Sequence, residues 1–124
     1  MVVGDCYCVD CRKSSATSHS THIAVPEDSV TLTGSLTYYD RPADSGHIVS
    51  RGFCPACGSP IASRNAAMPG ALFLRASSLD DPDAITPQMA VYASRAPKWA
   101  VFADGRAVFA EMPEGGPQEV IGAN

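Results

Sequence analysis

At 124 residues the chain is long enough for one domain with a modest core. Nine basic against thirteen acidic residues give a net charge of −4, and the short basic clusters argue against a nucleic-acid or anionic-membrane surface. Ten glycines, ten prolines, many Thr and Val and no sustained apolar period of 3.6 predict an all-β domain of short antiparallel strands with little helix over 1–112, then a mobile tail over 113–124.

Met1–Asp5 has neither a basic stretch nor an apolar run, so no export signal is read there. The five cysteines are an odd number for a disulfide framework, and together these features predict a reducing, cytoplasmic setting in which the thiols hold metal. Cys6, Cys8 and Cys11 fall within one tight turn and read as a metal grip, zinc being the first candidate because thiolates suit it. Arg12–Ser20 is polar and small, and both a short helical turn and a loop are open to it. Thr21–Val25 reads as a strand ended by Pro26. Val30–Thr33 and Leu36–Tyr39 alternate around Gly34-Ser35 and predict a hairpin, with a loop over Arg41–Gly46.

His47–Phe53 leads into Cys54-Pro55-Ala56-Cys57-Gly58, and Ser59–Arg64 leaves it, which predicts a hairpin with a metal-binding tip. Ala71–Ala76 is the densest apolar run. It is strand-sized and far too short to span a membrane. Ser78–Asp83 carries an Asx-type turn signal, Met89–Tyr92 reads as a further strand, and Ser94–Trp99 as a loop. Asp104-Gly105 between Val101-Phe102 and Val108-Phe109 has the pattern of a small hairpin.

Two divisions of the cysteines fit the spacing. Cys8, Cys11, Cys54 and Cys57 would close one tetrahedral zinc site and leave Cys6 spare; alternatively Cys6, Cys8 and Cys11 hold their own zinc with a fourth position open, leaving Cys54 and Cys57 to another site. His19, His22 and His47 read as ordinary polar residues beside so many thiols, with His19 the one to keep as a candidate. Ser14, Ser15, Thr17 and Ser18 form a loop of small hydroxyls that could also position a substrate oxygen. Arg12 and Lys13 are either a solvated pair or a carboxylate holder. Trp99 and the Phe and Tyr residues read as core.

The stretches Cys6-x-Cys8-x2-Cys11-Arg12-Lys13-Ser14-Ser15, Tyr38-Tyr39, Arg51-Gly52-Phe53-Cys54-x2-Cys57-Gly58-Ser59-Pro60, Ser78–Pro82 and Ser94–Trp99 together resemble the glutathione-dependent formaldehyde-activating enzymes, grouped with centromere protein V. The resemblance covers nearly the whole chain. It implies a tent-like arrangement of small sheets around zinc, with Cys6, Cys8 and Cys11 as the catalytic-type triad and Cys54 and Cys57 as half of a structural site. Family members carry a further Cys-x-Cys before this stretch that completes the structural site. This sequence does not contain it: either its start has been lost, or the protein manages with five thiols, so that Cys54 and Cys57 borrow partners or stay metal-free, and nearer one zinc per chain than two is expected. Ala16 stands where the family often has glycine, and His19 where it often has an aromatic.

The resemblance therefore implies a zinc-dependent carbon–sulfur lyase-like enzyme that adds a small-molecule thiol such as glutathione to formaldehyde or another small aldehyde. Ser15 and His19 are the catalytic candidates, as donors to the aldehyde oxygen, and Arg12 and Lys13 would hold the thiol's carboxylates. The alternative is a non-catalytic zinc-stapled β module that binds a protein or small ligand. The sequence leaves the oligomeric state open.

Overall fold

The computed structural model describes residues 1–116, so the last part of the expected tail, 117–124, lies outside the described residues. Eight strands, β1 (Val2–Cys6), β2 (Ser20–Pro26), β3 (Thr37–Pro42), β4 (Ile48–Phe53), β5 (Pro60–Asn65), β6 (Ala71–Arg75), β7 (Met89–Val91) and β8 (Ala107–Val108), are joined by turns and one short helix, α1 (Val9–Ser15). They pair in the order β3-β4-β5-β6-β2-β1-β7-β8. All neighbours are antiparallel except β1 with β7 and β7 with β8, which run parallel. The all-β reading holds, and the strands form one continuous ladder where separate small sheets were expected.

The strand that organises the sheet is one the sequence does not announce. β1 lies between β2 and β7, and Val2, Val3 and Asp5 are all buried within it. Successive side chains of a strand point to opposite faces, so Val2, Gly4 and Cys6 share one face and Val3 and Asp5 the other. Val2 packs with Met89 and Val91 on the first face; Val3 packs with Ile23 and Ala76 on the second. β2, β4, β6 and β7 fall close to their expected positions, because each combines β-prone apolar residues with a turn at its ends.

Two expected hairpins do not form. Residues 30–36 make no strand, and the next strand begins only at Thr37, at an edge with every residue exposed. Alternation over 30–33 has neither a partner strand nor an apolar layer to pack against. Around Asp104-Gly105 the chain does turn, with the Arg106 N–H donating to the Ala103 carbonyl at 3.4 Å. Yet Val101-Phe102 stays unpaired, and Ala107-Val108 joins β7 instead. Trp99 and Tyr39 are 66% and 62% exposed, so neither is core. The Asx turn is present: the Asp83 N–H donates to Asp81 Oδ1 at 3.1 Å.

Candidate metal centre

β1 ends at Cys6, and the chain then turns into α1. Cys8 is the helix N-cap, with its sulfur accepting the Cys11 N–H at 3.4 Å, and the Arg12 N–H donates to the Cys8 carbonyl at 2.9 Å. A helix start leaves backbone N–H groups unpaired and favours negative charge, so a thiolate suits the cap. The result is that the Sγ atoms of Cys6, Cys8 and Cys11 all lie within 4.8 Å of one another. Among the described residues this is the one group of three or more Cys, His, Asp or Glu side chains gathered closely enough to hold a metal ion.

The thiols share their protons unevenly. The Cys8 thiol is held far below its ordinary range, first by hydrogen bonds from Cys11 and Cys6, while Cys6 is pushed up, first by its hydrogen bond with Cys11, then by that with Cys8 and by burial. Three soft donors converging from one short stretch fit a thiophilic divalent ion, since tetrahedral metal–sulfur bonds near 2.3 Å place sulfurs about 3.8 Å apart. A metal there would tie β1 to α1.

The triad opens into a cleft of about 840 Å³. Its floor is one face of the sheet read across several strands: Gly4 and Cys6 of β1, His22 of β2, Arg75 of β6, Ser63 of β5 and Arg51 of β4. The register explains the selection. Gly4 lies opposite His22, His22 opposite Arg75, and Ser63 opposite both Arg51 and Phe73. His22 Nε2 and Ser20 Oγ are 2.9 Å apart, and the imidazole is pushed down to about 3, first by desolvation and then by the charge of Arg75. Tyr92, also on the cleft wall, has φ of 55°, a left-handed conformation uncommon for an aromatic residue.

The other residues singled out from sequence lie elsewhere. None of Arg12, Lys13, Ser15 and His19 lines the cleft. Ser15 Oγ donates to the Arg12 carbonyl at 3.1 Å within the last turn of α1, Lys13 is exposed, and Arg12 is half-buried with its Nε unpartnered. His19 stacks on Tyr7 at 4.9 Å between ring centroids and sits 3.8 Å from Asp5, on the sheet face opposite Cys6. Ala16 takes up the left-handed conformation, φ 61°, that caps α1, which is the physical reason glycine fits there.

Cys54 and Cys57 sit at the β4–β5 turn, where Cys54 and Ser59 pair through the backbone at 2.9 Å and Gly58 takes φ of +76°. The Cys57 thiol is exposed and donates to Ser59 Oγ at 3.2 Å. Among the described residues, no group of three metal-ligand side chains includes either cysteine, so the structure does not assemble the closed site of Cys8, Cys11, Cys54 and Cys57.

The model of the glutathione-dependent formaldehyde-activating enzyme family matches residues 1–95. The chain belongs to this family. The matched region contains all five cysteines and most of the residues that line the cleft. A comparison with curated proteins found no match.

The residues missed from sequence are Arg51, Arg75, Ser63 and Tyr92. A charged residue closing the most apolar strand, as Arg75 closes β6, was the available signal. Its meaning depends on strand register, which one sequence does not display.

Proposed function

We propose that the triad is the thiol-activating centre of a carbon–sulfur lyase-type enzyme that joins glutathione, or a similar small thiol, reversibly to formaldehyde. The observation that carries this reading is the convergence of Cys6, Cys8 and Cys11 where a cleft large enough for a tripeptide opens. Membership of the formaldehyde-activating family supports it.

Cys6, Cys8 and Cys11 are the residues that would hold zinc. Bound there, zinc would supply a site that favours the thiolate form of an entering thiol over the neutral form. In the net reaction a carbon–sulfur bond forms, the carbonyl π bond opens, and the thiol proton ends on the new hydroxyl, so no oxidant or reductant is required. The chain's own contribution is positional: the N-cap geometry fixes Cys8, β1 fixes Cys6, and the cleft walls hold the thiol's remainder so that its sulfur meets the aldehyde carbon. Ser15 and His19 have structural parts in this reading, in the end of α1 and in the Tyr7 stack. Cys54 and Cys57 would supply two sulfurs to a separate structural site, for which the described residues offer no third ligand. All five thiols are free, which supports a reducing compartment such as the cytoplasm, and no helix among the described residues is long and apolar enough to cross a membrane.

The test is the exchange of 13C-formaldehyde with its S-hydroxymethyl adduct of glutathione, followed by NMR. Zinc-loaded protein is expected to accelerate the exchange above the uncatalysed rate, and Cys8→Ser to remove the acceleration. An uncatalysed rate in the presence of fully loaded protein would overturn the proposal.

A further inference from the structure

We propose that Arg51 and Arg75 form an anion subsite beside the triad, which selects thiols carrying a carboxylate; this rests on reading the triad as a thiol-binding metal centre.

Four arginines line the cleft, and their partners divide them into two pairs. Arg41 faces Asp10 at 3.5 Å, and Arg95 faces Glu111 at 3.4 Å and Asp44 at 3.9 Å. Arg51 and Arg75 have no carboxylate among the described residues within ion-pair distance. Arg75 is only 4% exposed, and its Nη1 is spent on Ser63 Oγ at 3.0 Å and the Phe73 carbonyl at 3.3 Å. The Nε atoms of both arginines are buried and have no hydrogen-bond partner.

A buried guanidinium without a counter-charge is costly, so its presence calls for an anion. The triad sulfurs account for part of that demand, since Cys11 interacts electrostatically with both arginines. They leave the donors unsatisfied. The Nε–H and a neighbouring Nη–H form the edge of a guanidinium that grips a carboxylate through two parallel hydrogen bonds. Register places the two side chains together: Arg51 is opposite Ser63, and Arg75 reaches across to the same Ser63 hydroxyl. A thiol bound through sulfur at the triad would therefore lie beside two cleft-lining guanidinium groups whose Nε donors are unspent, and its acidic group would complete them.

The experiment uses cobalt-substituted protein and two thiols that differ at the acidic group, 3-mercaptopropionate and its neutral methyl ester, read by the change in thiolate-to-metal absorption. The acid is expected to bind roughly tenfold or more tightly than the ester, as one charge-assisted bidentate contact implies. In Arg51→Gln the acid should lose that advantage while the ester binds as before; Arg75→Lys, which keeps the buried charge but not the fork, should lose part of it. Equal affinities for acid and ester in the unmutated protein, or a preference that survives in Arg51→Gln, would overturn the subsite and leave the thiol-binding centre standing. A spectrum that responds to neither thiol would remove both.

Discussion

The backbone N–H of Cys11 reaches the sulfur of Cys8 at 3.4 Å across the first turn of α1. Cys8 thus occupies the position where Ser, Thr, Asp or Asn usually cap a helix, and the ligand loop is shaped by ordinary capping before any metal arrives. Capping and metal binding can be separated. Cys8→Ser should retain the cap, so the metal-free protein should melt within about 0.5 kcal/mol of the parent, while Cys8→Ala should cost about 1 kcal/mol. Both should lose tight zinc uptake. A serine variant that takes up zinc as the parent does would remove Cys8 from the ligand set.

Ala16 gives a second expectation. A non-glycine residue at φ 61° carries a steric penalty that glycine avoids, and nothing else about the position requires alanine. Ala16→Gly should raise stability by about 0.5–1 kcal/mol in denaturant titrations, with zinc uptake unchanged. A loss of stability would mean that the helix end is held by something other than this cap.

Gly52 lies between Arg51 and Phe53 in β4, where a Cβ would come within 2.9 Å of the Tyr38 ring, 3.0 Å of Leu36 Cδ1 and 3.1 Å of the Ala62 carbonyl. The side chains can shift, but the carbonyl belongs to the β4–β5 ladder. Gly52→Ala should destabilise by about 1–3 kcal/mol through overpacking. Unchanged stability would show that β4 can move away from β5 at this point.

Asp5 is 1% exposed and is held by the Thr21 hydroxyl at 2.7 Å and by Arg106. This pair joins β1 to the segment leading into β8. Arg106→Ala should cost about 3–5 kcal/mol because it strands a buried carboxylate, and Asp5→Asn in the same background should recover part of that loss. Additive losses in the double variant would show that the two side chains do not act as a pair.

These residues also mark how far the sequence could be read. The cysteine triad was legible because its spacing is local: Cys6, Cys8 and Cys11 meet wherever the chain bends once. β2, β4 and β6 were legible because apolar, β-prone residues are bounded there by proline or turn residues. β1 was not, because Gly4 and the acidic Asp5 interrupt its pattern, and Asp5 is tolerated through Thr21 and Arg106, the latter far along the chain. Arg51 and Arg75 belong to the cleft through the pairing of β4, β5 and β6, which is a long-range property. Ser15 and His19 looked close to the metal because they are close in sequence, but strand alternation in β1 puts Asp5 on the face opposite Cys6, and His19 packs beside Asp5 and Tyr7.

The central claim is that Cys6, Cys8 and Cys11 alone hold the metal and leave one position for a thiol. X-ray absorption on the zinc-loaded Cys54→Ser/Cys57→Ser double variant tests it most directly, because only the triad can then supply sulfur. The account expects about three sulfur neighbours near 2.3 Å and one lighter atom, changing to about four sulfurs when glutathione is added. Loss of the metal in this variant, or a coordination shell that glutathione leaves unaltered, would contradict it.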